Sequence, residues 1–132
     1  MLIQIDHHGG IPIYRQVIDQ VRRQIMIKAL LPGDQLDTVR DLAARLKVNP
    51  MTVSKAYASL ETEGLVERRR GVGLFVANMQ TPQKERIKSD LLKDAMEKAA
   101  ITSIQLDVPQ DQAIELFQKL YQQHAARNRR QP

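Results

Sequence analysis

Cysteine is absent from the 132 residues, and with it go disulfides, thiolate metal sites and thiol nucleophiles. Tryptophan is absent too. The whole aromatic complement is three tyrosines and two phenylalanines, so any core is small and mostly aliphatic. No apolar run approaches the roughly 20 residues that cross a bilayer, and the opening MLIQIDHHGG lacks the basic-then-apolar layout of a secretion signal. A cytoplasmic protein without membrane contact is expected. Negative charge is the scarcer sign: 15 Asp and Glu stand against 20 Lys and Arg, which favours a polyanionic partner. The excess sits in residues 1–79 and in a basic tail formed by Arg127, Arg129 and Arg130.

Groups for catalysis or metal binding are equally thin. His7 and His8 are adjacent, so in an extended chain they point in different directions, and no third ligand lies nearby. His124, near a helix end, reads as a solvated or dipole-paired side chain. Gly71-Val72-Gly73 is too short for a phosphate loop, and no Gly-Lys-Ser/Thr follows it. No enzyme, metal or cofactor is expected.

What is present falls into short periodic segments. LIQID alternates apolar and polar residues as a short extended segment does, and HHGG breaks it. IPIYRQVIDQVRRQIMIKAL places Tyr14, Val17, Ile18, Val21, Ile25 and Leu30 on one helical stripe, with Pro12 suited to the first turn and LPGD as the stop. A second helix starts at Thr38, a good cap, and buries Val39, Leu42, Ala43 and Leu46. After the tight link Lys47-Val48, Asn49 and Pro50 open a third helix with Val53, Ala56, Tyr57 and Leu60 on its inner stripe, ending at Glu63-Gly64. Leu65-Val66 and Leu74-Phe75-Val76 are β-prone runs around an Arg- and Gly-rich tip, which is a hairpin signal. Thr81-Pro82 opens a helix to about Ala100, with Ile87, Leu91, Leu92, Ala95, Met96 and Ala99 in its apolar rows. SIQLDVP breaks it, and a last helix carries Ile114, Phe117, Leu120 and Tyr121.

The third helix leaves a lightly dressed outer face: Met51, Ser54, Lys55, Ala58 and Thr62. Two short helices joined by a tight turn, the second presenting a small basic face, make a helix-turn-helix. The major groove accepts one α-helix whose outward side chains are not bulky. Thr52 and Ser54 can donate to phosphates or base edges, Lys55 supplies charge, and the helix N-terminal amides suit a phosphate. Arg40 points to the same mouth. The hairpin gathers Arg68, Arg69, Arg70 and Gly71, a tip fit for the minor groove, where narrow stretches focus negative potential on inserted Arg. Strand alternation lets only some of these guanidiniums face DNA; Arg70 is favoured at the tip, with Arg68 or Arg69 on the backbone. The plainer alternatives are a three-helix core with a solvated face, and a winged helix that docks another polypeptide.

PIYRQVIDQVRRQI, LPGDQL and TVRDLAARLKVNPMTVSKAYASLETEGLVERRRGVGLFV together resemble the winged helix-turn-helix of the GntR family of bacterial transcription regulators. The IQID…GGIPIY lead-in and the short C-terminal part resemble its YtrA subfamily. The resemblance implies a mainly α fold. Residues 1–79 would form a winged helix-turn-helix of three helices and a two-stranded wing, and residues 80–132 an all-α dimerisation region of two helices. It implies a homodimeric repressor of a palindromic operator on double-stranded DNA, often of an ABC-type transporter operon. Carried over by residue, the family's DNA contacts fall on Arg40, Asn49, Thr52, Ser54, Lys55, Arg70 and Gly71. Asp37-Thr38 replaces the usual Pro-Ser: Thr38 keeps the capping hydroxyl, while Asp37 places a negative charge near the DNA path. Met51 stands where a polar residue is frequent and offers an apolar contact. The dimer contact is expected from Ile87, Leu91, Leu92, Ala95, Ile114, Phe117, Leu120 and Tyr121. A small-molecule effector stays unassigned, since two helices leave little room for an enclosed pocket.

Overall fold

A computed structural model describes residues 1–129; Arg130, the end of the expected basic tail, lies outside the described residues. The elements run α1 (Ile13–Met26), α2 (Val39–Leu46), α3 (Pro50–Thr62), β1 (Val66–Arg69), β2 (Gly73–Val76), α4 (Thr81–Gln105) and α5 (Gln110–Arg129). The chain divides into two compact units, the first ending at Leu91 and the second starting at Leu92.

In the first unit the apolar stripes meet as their spacing predicts. Val17, Ile18, Val21 and Ile25 of α1 are buried, as are Leu42, Ala43 and Leu46 of α2. Val53, Ala56, Tyr57 and Leu60 of α3 complete the set. Helix α3 packs against α1, α2 and β1, which makes it the central element. Each fully buried Val, Leu or Ile contributes about 1.5–3 kcal/mol. Helix α1 stops sooner than its stripe suggests. Lys28 adopts a left-handed φ of 64°, and Leu30 reaches the core from a turn, its N–H bonded to Gln24 O at 3.0 Å. Gly33, with φ 91°, turns the link to α2 and not the helix end. Val39 is only partly buried.

The N-terminal residues form no strand, yet Ile3 is buried. Three glutamines one turn apart on α1 hold the extended segment by its backbone. Gln16 accepts from Asp6 N at 2.9 Å and donates to Asp6 O at 3.0 Å. Gln20 accepts from Gln4 N at 2.9 Å and donates to Gln4 O at 2.6 Å. Gln24 donates to Leu2 O.

Strands β1 and β2 pair antiparallel with Val66 opposite Val76 and Arg69 opposite Gly73. The link between α1 and α2 lines the other edge of β2. Gly33 N donates to Val76 O, Val76 N to Asp34 O and Leu36 N to Leu74 O, each at 2.8 Å, with Gln35 bridged to Phe75. The wing is thereby fastened to the entry of α2.

Helix α4 runs five residues beyond Ala100. Ile101 to Gln105 contains no breaker, and Ser103 turns its hydroxyl onto Ala99 O at 2.8 Å within the helix. The break comes at Leu106–Pro109, where Asp107 takes a left-handed φ of 56°. The first turns of α4 belong to the first unit: Ile87 is buried in its core and Leu91 packs against it, so this unit continues past residue 79. Ile87 and, in part, Leu91 therefore leave the set of outward-facing residues expected at a subunit contact, because the core of their own chain already covers them.

In the second unit no described residue is buried. Its part of α4 and α5 are not packed side by side. Leu92, Met96, Ile104, Leu106, Phe117 and Tyr121 are all exposed, a helical segment without a core of its own.

Candidate nucleic-acid interface

Asn49 is extended, and its side-chain oxygen accepts from Met51 N at 2.8 Å, so the cap predicted from Asn-Pro is in place. Lys47, left-handed at φ 57°, makes the tight turn from α2. With the inner stripe of α3 buried, the outer face shows Met51 at 75% exposure and Ser54, Lys55 and Ala58 open beside a half-buried Thr52. These are the small and basic side chains that the spacing places there.

At the entry of α2, Thr38 Oγ1 accepts from Asp41 N at 3.1 Å, and Arg40 is exposed in the first turn. Asp37 does not stand as a bare negative charge: Arg45 reaches its carboxylate at 2.8 Å. The Tyr57 hydroxyl donates to Asp37 O at 2.8 Å, tying α3 to this entry. Burial pushes the Tyr57 phenol far above its ordinary value, the Asp37 charge adds to the rise, and Arg45 opposes it. The folded state thus keeps a proton that the unfolded chain gives up at a pH of about 10. The contribution is complete below that pH and is lost progressively above it, as pH rises towards and through the folded-state value. Tyr57→Phe is expected to cost about 1 kcal/mol and to weaken the decline of stability above pH ~10, both measurable by urea unfolding at pH 8 and pH 10.5.

The hairpin sorts its three arginines. Arg68 turns towards α3, where Glu61 takes its NH2 group at 3.2 Å and its Nε at 3.4 Å. Arg69 lies over the Phe75 ring, 4.0 Å from the centroid, with Glu67 at 3.8 Å. Among the described residues Arg70 makes no ion pair. It sits in the three-residue loop that Val72 N closes onto Arg69 O at 3.0 Å. Gly71 carries φ 77° there, a conformation L side chains rarely adopt. A cleft of about 210 Å³ opens between this ribbon and the helices, lined by Thr38, Ser54, Tyr57, Arg68 and Gly73 among others.

Three side chains escape a periodicity reading. Tyr14, read as a core residue of α1, also carries Lys55, whose Nζ lies 3.9 Å from the ring centroid; this cation–π contact orders the lysine of the outer face. Glu61 holds Arg68. Gln35 reaches the wing, its Nε2 donating to Val72 O at 3.1 Å. All three are tertiary contacts across 7 to 41 residues, and no local spacing announces them.

The family model for bacterial regulatory proteins of the gntR family matches residues 13–76, from the first residue of α1 to the last of β2. The HTH-type transcriptional repressor YtrA of Bacillus subtilis (strain 168) is 37% identical over 100 residues, 76% of this chain and 77% of that protein. The chain belongs to the GntR family. A GntR family transcriptional regulator from Listeria monocytogenes superposes with a TM-score of 0.71 at 29% identity, covering 87% of this chain and 98% of that one. The DNA-binding domain of AraR in complex with operator ORX1 superposes with a TM-score of 0.52 at 28% identity, over 57% of this chain and 96% of that domain. As a GntR protein the chain is a DNA-binding transcription regulator and not an enzyme. Among the described residues no helix is long and apolar enough to cross a membrane.

Proposed function

We propose that this GntR regulator is a homodimeric repressor of a palindromic operator. Each protomer lays the outer face of α3 in the major groove and the wing tip in the neighbouring minor groove. The observation that carries this reading is the placement, on one compact unit, of the small-polar face of α3 beside the one wing arginine without an ionic partner among the described residues. Ser54 and Thr52 serve as donors to base edges or phosphates, and Lys55 as a phosphate contact. Met51 meets a thymine methyl. Thr38, Arg40 and Asn49 line the phosphate path at the two helix N-termini. Arg70 and Gly71 enter the minor groove, with Arg68 on the backbone. Residues 80–132 supply the subunit contact through Leu92, Ala95, Ile114, Phe117, Leu120 and Tyr121. Two copies then address half-sites one helical turn, roughly 34–36 Å, or a multiple of it apart. By resemblance to the YtrA subfamily, the regulated genes are an ABC-type transporter operon together with the regulator's own gene.

Selection of duplexes from a random pool tests the reading. It should return inverted repeats, and binding to them should weaken with salt at a log–log slope of about −0.9 per phosphate neutralised. No enrichment over the input pool, or affinity indifferent to salt, would leave the wing and α3 as a docking surface for another polypeptide.

A further inference from the structure

We infer that Gln35 is a positioning residue for the wing: it fixes the arginine-bearing tip at a set distance from the helix-turn-helix and so tunes DNA affinity without touching DNA. The inference rests on the groove reading of the wing given above.

Residues 33–36 run along the outer edge of β2 as a third extended chain, through the three 2.8 Å backbone bonds of Gly33, Asp34 and Leu36. The same short link ends in Asp37 and Thr38, the residues that receive Tyr57 from α3 and cap α2. Whatever this link grips is therefore held in register with both helices of the motif. Backbone pairing ends one residue past the Gln35–Phe75 bridge, at the bond from Leu36 N to Leu74 O; the loop Arg70-Gly71-Val72 lies beyond it. Gln35 spans that gap with its side chain, donating to the Val72 carbonyl at 3.1 Å.

The niche is shaped for this amide. Gly73 has φ 142°, a conformation L side chains rarely adopt, and a Cβ added there would stand 2.9 Å from Gln35 Nε2 and push the amide aside. The carbonyl it holds is two residues from Arg70, with Gly71 between them. Apart from the turn bond of Val72 N to Arg69 O at 3.0 Å, a hinge at a glycine with nothing but its chain neighbours within 4 Å of its would-be Cβ has little to stop it swinging. Without the amide, the tip would pivot about Gly71 and Gly73, and Arg70 would spend part of its time away from the groove.

The test compares the full-length protein with Gln35→Leu and Gln35→Glu, alone and combined with Arg70→Ala. The probe is the operator duplex recovered by selection, and binding is measured by fluorescence anisotropy. Leu keeps the bulk and loses the donor. Glu keeps size and polarity, and sets an oxygen against the Val72 oxygen. Each should raise Kd about three- to tenfold, the worth of one hydrogen bond, yet change Kd by less than about twofold once Arg70 is already Ala. In the free protein, the backbone order parameters of Gly71 and Val72 should fall from about 0.85 to below 0.6, while amides of α2 and α3 keep theirs. Wild-type affinity in either single variant, or an equal loss with and without Arg70, overturns the role of Gln35. Should Arg70→Ala itself bind as wild type, the groove reading of the wing fails first, and Gln35 has no tip to aim.

Discussion

Phe117→Asp is expected to convert the protein to a monomer in sedimentation equilibrium and to weaken operator binding by about 100-fold or more. In the second unit no described side chain is buried, and its part of α4 does not pack side by side with α5. Phe117 and Tyr121 lie one turn apart with ring centroids 5.9 Å apart, and they are 46% and 65% exposed. Leu92 at 62% and Leu120 at 44% extend the apolar surface. Covering each such side chain contributes about 1.5–3 kcal/mol, so a contact of several from each protomer holds a stable dimer, whereas an uncompensated carboxylate at its centre costs several kcal/mol. A monomer keeps one half-site only, and the absence of the second accounts for the steep fall in affinity. Ile87→Asp is a contrast and not a repeat, because Ile87 lies in the core of the first unit and its substitution unfolds that unit. If Phe117→Asp still sediments as a dimer at micromolar concentration, the subunit contact lies elsewhere.

Arg70→Ala is expected to lower operator affinity tenfold or more and to flatten the salt slope by about 0.9 for each phosphate left without its cation, hence about 1.8 for a dimer. Neighbouring arginines should matter less. Arg68 must first leave Glu61, and Arg69 must leave Phe75; both exchanges return part of what the new interaction gives. The ranking Arg70 > Arg68 and Arg69, measured from titrations at four salt concentrations, separates a groove-entering tip from a merely basic ribbon. Equal small losses at all three positions would support the latter.

Much of the first unit was legible from residue spacing. Asn49-Pro50 marks the start of α3 because a side-chain acceptor and a fixed φ suit a helix N-terminus, and the structure shows that cap closed. The hairpin follows from the change of period around Arg68–Gly71, and the C-terminal stop of α3 from Gly64, which carries φ 80°. A stripe tells which residues share a face and not what covers that face. Ile87 and Leu92 look alike in sequence, yet one is sealed in the first unit and the other is 62% exposed. Leu30 fits the α1 rhythm although it reaches the core from a turn. Residues 33–36 have no period of their own, since their order comes from the edge of β2. Of the candidate site, spacing located the outer face of α3 and the wing tip. It missed Tyr14 beneath Lys55, Glu61 on Arg68 and Gln35 on Val72, because those pairings exist only once the chain has folded.

The glutamines of α1 have a geometric consequence. Four residues of helix advance about 6.0 Å, while two residues of extended chain advance about 6.6 Å. Gln16, Gln20 and Gln24 thus meet Asp6, Gln4 and Leu2 nearly in step, a vernier between two unlike repeats. The misfit grows by about 0.6 Å at each rung, which side-chain torsions absorb over three. Such a zipper limits its own length: each further rung would be stretched more than the last, so a polar helix face can hold a short segment firmly but cannot recruit a long one.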